Sequence, residues 1–276
     1  DEKSVISGLF DFIDNSPTCF QAAAQVGRRL EENGYERLSE KCAWKIQRGK
    51  EYYVNRNNSA VIAFRIPEGE QYRGFHMVAA HSDSPCFKVK EEAELTAEGR
   101  YLKWNTEKYG GMILSTWLDR PLSIAGRLVV RTGEGLQERL VQLDRDVAVI
   151  PNVAIHMNRD MNKGVEYNPQ TDMAALVGDA AKEGSFTALL AKEAGVQEEQ
   201  ILGKDVFLYN CLDWRRNISA GRVWMIWNVS TAVWRRWYPR NRRITSICCS
   251  SLTTKRWEAE RSRGRIRPFC GMCLRE

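Results

Sequence analysis

Apolar positions recur at helical spacing near the start of the chain. Val5, Ile6, Leu9, Phe10 and Ile13 fall on one side of a helix over residues 4–14, and Ser16-Pro17-Thr18 breaks it. A second helix is expected from Phe20 to Asn33, closed by Gly34. The period then changes to two. Glu51–Arg56 and Ser59–Ile66 pattern as paired strands across an Asn57-Asn58 turn. Phe75–Ala80 is a short apolar run with the length and bounds of a buried strand. Helices alternating with apolar strands point to an α/β sheet, where ligands gather at the C-terminal ends of strands. His81-Ser82-Asp83 falls at such an end.

From about Val89 to Arg159 the texture becomes mostly β. Ile124–Arg131 and Leu140–Leu143 pattern as strands, with turns at Thr132-Gly133 and Glu134-Gly135. Helices are expected over Asp172–Ala181 and Ser185–Ala194, the latter closed by Gly195. Lys204–Asn210 has the pattern of a strand free to rejoin the first sheet. This divides the chain into residues 1–87, a β-rich module over 88–203, a return strand and loop over 204–222, and a tail over 223–276.

Composition adds a contrast. The chain has 276 residues, 43% hydrophobic and 28% charged, as in ordinary globular proteins. No apolar stretch approaches the ~20 residues that span a bilayer, and the first ten residues lack a secretion-signal pattern, so a cytoplasmic protein is expected. The eight cysteines have no small-scaffold spacing, and free thiols follow. The formal charge of +6 is unevenly spread. Acids hold their own before about Cys211. After it come Arg215, Arg216, Arg222, Arg235, Arg236, Arg240, Arg242 and Arg243, together with Trp214, Trp224, Trp227, Trp234, Trp237 and Trp257.

His81 and Asp83 stand at i, i+2. A neutral imidazole is a good zinc ligand, and a nearby carboxylate accepts its other ring N–H. The spacing alone is a weak signal and better describes a capped strand end with a surface histidine. Longer strings say more. V-A-A-H-S-D-S-P at 78–85, Y-G-G-M-I-L-S-T-W-L-D-R-P-L-S-I-A-G-R at 109–127 and I-P-N-V-A-I-H-M-N-R at 150–159 resemble, in order, three blocks of the aspartyl aminopeptidase family. The resemblance covers roughly residues 4–210. It implies a three-layer α/β catalytic domain of the zinc-exopeptidase kind, interrupted by a β-rich inserted domain that oligomerises. It implies two zinc ions per site and peptide substrates, with an acidic first residue preferred. By position, His81 is implied as a zinc ligand and Asp83 as the carboxylate that supports it. His156 is implied to reach a neighbouring subunit's site and hydrogen-bond the substrate carbonyl, although one histidine in an apolar strand commonly just finds a backbone partner. His76 reads as core, and Asp119 with Arg120 as a structural pair.

Further metal ligands of that family lie in an L-D-D segment, a D-N-E-E segment, a later Asp and a C-terminal His. None is present, and the three histidines are His76, His81 and His156. The genetic code accounts for the loss. Taking the last base of each codon with the first two of the next, Trp224-Met225-Ile226 forces GAT-GAT, Asp-Asp. Ile226-Trp227 admits Leu, and Trp227-Asn228 forces Glu. Leu252–Trp257 admits D-N-E-E-V, and Trp257-Glu258 forces Gly. The tail therefore reads as an out-of-frame translation, with the shift between about Asn210 and Val223, no consistent hydrophobic period and no native fold expected from Val223 onward.

Other readings of the tail are weaker. Arg clusters with Trp could bind nucleic acid without sequence preference or adsorb to anionic membranes. Cys270-Gly271-Met272-Cys273, with Cys248-Cys249, could offer thiolates to zinc. The shifted frame explains the composition more simply, so neither specific nucleic-acid binding nor membrane binding is expected. By ligand count the chain as written is an inactive aminopeptidase. The alternative is a non-catalytic oligomerising piece.

Overall fold

The structure is a computed structural model and describes residues 2–69, 74–181 and 184–210, and the backbone of 246–250. The chain divides into two compact units, Asp1–Asp83 with Val223–Glu276, and Ser84–Arg222. The first boundary lies at Asp83/Ser84, four residues before the expected one.

In the first unit, helices α1 (Glu2–Asp14) and α2 (Cys19–Glu32) precede strands β1 (Glu36–Leu38), β2 (Glu51–Arg56), β3 (Ala60–Arg65) and β4 (His76–Ala80). The Thr18 hydroxyl accepts the Phe20 N–H at the start of α2. Gly34, at φ +86°, turns the chain away at its end. Between β2 and β3 both Asn57 and Asn58 adopt positive φ, and Ser59 N–H closes on the Arg56 carbonyl. A two-residue hairpin turn requires that geometry, and Asn tolerates it. Ala23 and Leu30 of α2 pack with Tyr53, Val61 and Ala63. Tyr52 and Val54 pack with Leu38, Phe64 and Ile66 in a separate cluster.

One expectation fails here. β4 is not buried: Met77 is 50% exposed, and Phe75 and His76 are exposed with it, so His76 is not a core residue. The physical reason is its place. α2 packs on β2 and β3, and β4 lies at the far end of the sheet. Of the tail, where no native fold is expected from Val223 onward, only the backbone of five residues is described. Residues Ser246–Ser250 form a strand, β12, inside this sheet, whose order is β1-β2-β3-β12-β4. The rest of the Trp- and Arg-rich tail, including Cys270–Cys273, lies outside the described residues.

The second unit is a barrel-like sheet. Its strands are β5 (Cys86–Ala97), β6 (Tyr101–Tyr109), β7 (Pro121–Thr132), β8 (Gly135–Gln142), β9 (Ala148–Val149), β10 (Ala175–Asp179) and β11 (Ile201–Asn210). Their order is β11-β5-β6-β10-β9-β7-β8, and a further β11–β7 pairing closes the ring. Phe87, Val89, Trp104, Leu122, Ile124, Leu128, Val206 and Leu208 belong to one buried cluster with Phe186 and Leu190 of helix α3 (Phe186–Ala194). The Ser185 hydroxyl caps α3 at one end and left-handed Gly195 ends it at the other. β7 and β11 approach so closely at Gly126 that a Cβ there would lie 2.0 Å from the Asp205 carbonyl oxygen.

Two elements differ from the pattern-based reading. Residues 172–181 hold β10, not a helix; Met173, Ala174 and Ala175 are all buried, and pairing with β6 and β9 outweighs the local preference of an Ala-containing segment. β11 does not rejoin the first sheet. It runs antiparallel to β7 from Ile201↔Val130 to Asn210↔Leu122, burying Val206, Phe207, Leu208 and Tyr209 in the second unit. Among the described residues no helix is long and apolar enough to cross a membrane, and Cys19, Cys42 and Cys86 are not joined in disulfides.

Candidate functional site

The strand-end motif of the first unit is built as its spacing suggests. The chain leaves β4 at Ala80 and enters a loop in which His81 Nδ1 lies 3.1 Å from Asp83 Oδ1 and 3.0 Å from the Asp83 carbonyl oxygen. The side chains are 33% and 13% exposed. Both partners are acceptors, so Nδ1 is the donor, and in the neutral form of the ring Nε2 is the nitrogen left with a lone pair. That is the tautomer a metal-ligating histidine takes when a carboxylate fixes its ring.

Ser82, buried between them in sequence, anchors the loop from below: its hydroxyl donates to the Ser59 carbonyl at 3.1 Å, just past the β2–β3 turn. The sequence pointed to His81 and Asp83 and missed Ser82, because a hydroxyl donating to a backbone carbonyl twenty-three positions away leaves no spacing signature.

His156 lies in the second unit, and not in a strand as expected. It sits in a turn closed by the Met157 N–H on the Ala154 carbonyl, and its side chain is exposed. The surrounding segment is apolar and open to solvent, with Val153, Ile155 and Met157 all exposed, the last at 79%. Asp119 holds the start of this segment. Its carboxylate accepts the Asn152 N–H at 2.9 Å and its own N–H donates to the Ile150 carbonyl at 2.9 Å. Its φ of +55° is what points both groups that way. Asp119 was expected to pair with Arg120; its carboxylate serves the backbone instead.

Zinc takes four ligands in structural sites and at least three protein ligands in catalytic ones. Among the described residues no group of three or more His, Cys, Asp or Glu side chains converges. His81 and Asp83 by themselves do not fit a zinc ion. What they make is one oriented imidazole at the mouth of a sheet.

Comparison with known proteins places the chain as a whole in a family. The model of the family described as Aminopeptidase I zinc metalloprotease (M18) matches residues 12–213. The chain belongs to the M18 aminopeptidase family. A probable M18 family aminopeptidase 2 from Clostridium novyi (strain NT) is 42% identical over 209 residues, 73% of this chain and 48% of that protein. A chain of the Ape4 and Nbr1 complex superposes with a TM-score of 0.78 at 29% identity, covering 90% of this chain and 54% of that one. A chain of the S. cerevisiae mApe1 dodecamer gives 0.70 at 20% identity, covering 96% and 67%, which speaks for the fold alone. This chain therefore spans about half the length of the curated relatives it matches, and the match ends where the Trp- and Arg-rich tail begins.

Proposed function

We propose that the gene behind this chain encodes a zinc aminopeptidase that releases N-terminal residues from peptides, acidic ones by preference, and that the chain as written is inactive. The observation that carries the reading is the family match over residues 12–213, ending beside the place where the codons hide the next metal segments. In this reading the first unit is part of a three-layer catalytic domain, and the second unit is an inserted domain through which copies oligomerise. His81 is a metal ligand through Nε2, and Asp83 holds its ring. His156 is offered to a neighbouring subunit, where it donates a hydrogen bond to the substrate carbonyl as charge develops on it. Two zinc ions per site would supply the nucleophilic water and the electrophile; the described donors by themselves do not hold them. The protein works in the cytoplasm, where its free thiols stay reduced.

Inactivity follows from counting. Losing one group that merely orients a metal ligand costs about 10–100-fold in affinity or activity, and here most of the ligands themselves are absent. The test has two arms. The DNA encoding residues 205–230 is resequenced, and the chain as written is assayed with zinc on a chromogenic aspartyl substrate beside a product carrying a one-base correction. The corrected product is expected to hydrolyse the substrate and the present chain not to. Turnover by the present chain would overturn the reading.

A second reading is favoured by one feature. Ile113, Val153, Ile155 and Met157 are exposed on the second unit, and apolar surface of this kind marks an interface. A non-catalytic piece that still oligomerises would elute above monomer mass in gel filtration at any zinc level. A monomer would remove this reading.

A further inference from the structure

The first sheet has an interior place that its N-terminal segment does not fill. β3 and β4 follow one another in the chain, yet β12 stands between them. It runs antiparallel to β3, from Ser246↔Arg65 to Ser250↔Val61, and parallel to β4, from Ser246↔His76 to Ser250↔Ala80. Each of its residues thus faces a partner on both sides. Without such a strand, β3 and β4 would each present unpaired N–H and C=O groups along their inner edges. The register carries a second fact. Ser250 is level with Ala80, so the chain leaves β12 beside the point where β4 gives way to His81.

Codon arithmetic says what this segment becomes in the other frame. The junction of Cys248 and Cys249 reads TTG or CTG, both leucine. The junction of Ile247 and Cys248 reads ATG, TTG or CTG, methionine or leucine. The next two junctions, Cys249-Ser250 and Ser250-Ser251, admit Phe, Leu, Ile or Val in one or both cases, and the hidden D-N-E-E begins at Leu252. In the other frame, then, the middle of this segment is forced to Met or Leu followed by Leu, and the two junctions after it admit apolar residues, while Ser246-Ile247 gives Tyr, His, Asn or Asp. Such an apolar middle suits a strand paired on both sides. Cysteine itself behaves as a small apolar residue.

We infer that Ser246–Ser250 is a surrogate strand. It fills by backbone pairing the slot that the frame-corrected product fills with its own apolar strand, and in filling it fixes the exit of β4 and with it the His81–Asp83 loop. The comparison between frames rests on the function proposed above; the pairing does not. The tail is therefore not inert ballast on an incomplete enzyme. One short stretch of it completes the sheet, and the first unit of this chain depends on a segment that the family match does not include.

Hydrogen exchange read by mass spectrometry on the whole chain tests this. Amides of 246–250 are expected to exchange about 100-fold or more slowly than in a free peptide, as paired interior strands do. Cys248→Pro removes an N–H in the middle of the strand. It should abolish that protection and also lower protection in 61–65 and 76–80, while 84–210 stays as before. Cys248→Val, a good strand residue, should keep all of it, which separates pairing from thiol chemistry. Exchange of 246–250 at the free-peptide rate in the unsubstituted chain would overturn the inference. So would Cys248→Pro leaving 76–80 fully protected. The frame is tested separately by the resequencing: an unshifted gene with protected 246–250 sinks the frame reading and supports the strand.

Discussion

Gly126→Ala offers the sharpest test of the second unit. Gly126 of β7 is paired with Val206 of β11, and a Cβ built on it would lie 2.0 Å from the Asp205 carbonyl oxygen and 2.7 Å from the Val206 Cα. Both neighbours are backbone, so no side chain can swing away. To reach ordinary contact the two strands must part by more than 1 Å, along the pairing that closes the ring. Overpacking in a well-filled interior costs about 1–3 kcal/mol and sometimes more. The alanine recovers ~0.4–1 kcal/mol by restricting the unfolded chain. Because both neighbours are backbone, the cost falls at the upper end of that range, and a net loss of about 2–2.6 kcal/mol is expected, which for a unit of this size lowers Tm by roughly 5–12 °C. The assay is thermal unfolding of the second unit followed by exchange of the 121–132 and 201–210 amides. Gly203→Ala on β11 is the control. Its Cβ would meet Val129 at 3.8 Å, ordinary contact, and the effect should stay within about 0.5 kcal/mol. A Gly126→Ala chain that melts within a degree of the parent would refute the close approach of β7 and β11.

Asp205 supplies a pH test. Burial pushes its carboxyl up, but hydrogen bonds from Arg127 at 2.8 Å and Lys88 at 2.9 Å outweigh that and hold it below the ordinary 3.8. A depressed folded pKa means stability that is present above pH 3.8 and lost as pH falls through the lower folded value. The side chains are partly exposed, so about 1 kcal/mol is at stake; Asp205→Asn should flatten the fall in stability below pH 4, and an unchanged acid limb would remove the pair from the account. Tyr53 works at the other end. Burial first, then its 2.5 Å hydrogen bond to Glu31, push the phenol up to about 12. Its contribution is present below pH 10 and lost as pH rises toward 12, and Glu31→Gln should bring the phenolate absorbance step down; a step that does not move would exclude the contact. Ser82→Ala leaves the Ser59 carbonyl without its hydroxyl donor and should cost about 1 kcal/mol while speeding exchange in the 80–84 loop. Unchanged exchange there would deny Ser82 its anchoring role.

How much of this was legible in the sequence depends on how far apart the partners lie. The N-terminal helices and the β2–β3 hairpin are local objects, set by periodicity and by Asn57-Asn58 at a two-residue turn, and they appear almost residue for residue. β10 was misread because Met173-Ala174-Ala175 carries no strand signature; its structure comes from β6 and β9, distant in the chain. β11 was read as a strand but sent to the wrong sheet, since nothing in K-D-V-F-L-Y-N states which edge it joins. β4 was read as buried from F-H-M-V-A-A, and a run of small and apolar residues does not say whether a covering layer exists. His81–Asp83 was legible because its contact spans two residues. The roles of Ser82 and Asp119 were not, because each acts on the backbone of a segment more than twenty positions away.

The same distinction explains how the proposed frame shift would leave the shape of the first sheet in place and remove its chemistry. β4 and its parallel neighbour β12 are about 170 positions apart, and a site at the shared end of parallel strands draws its groups from both. A strand slot is selected mainly by backbone pairing and by a lack of charge, which many sequences satisfy. A metal shell is selected by the identity of each donor. Under the proposed shift of frame, the first kind of information would survive wherever the codons stay apolar in both readings, as they do at Ile247-Cys248-Cys249, and the second would be lost at once, as from Leu252 to Trp257. Restoring one base would therefore change the chemistry beside His81 far more than it changes the sheet. That asymmetry can be measured. The corrected product and the present chain should show matching exchange in 51–65 and 76–80, and differ in zinc taken up per chain. A corrected product whose 76–80 amides exchange in a different pattern would mean that β12 is not standing in for anything.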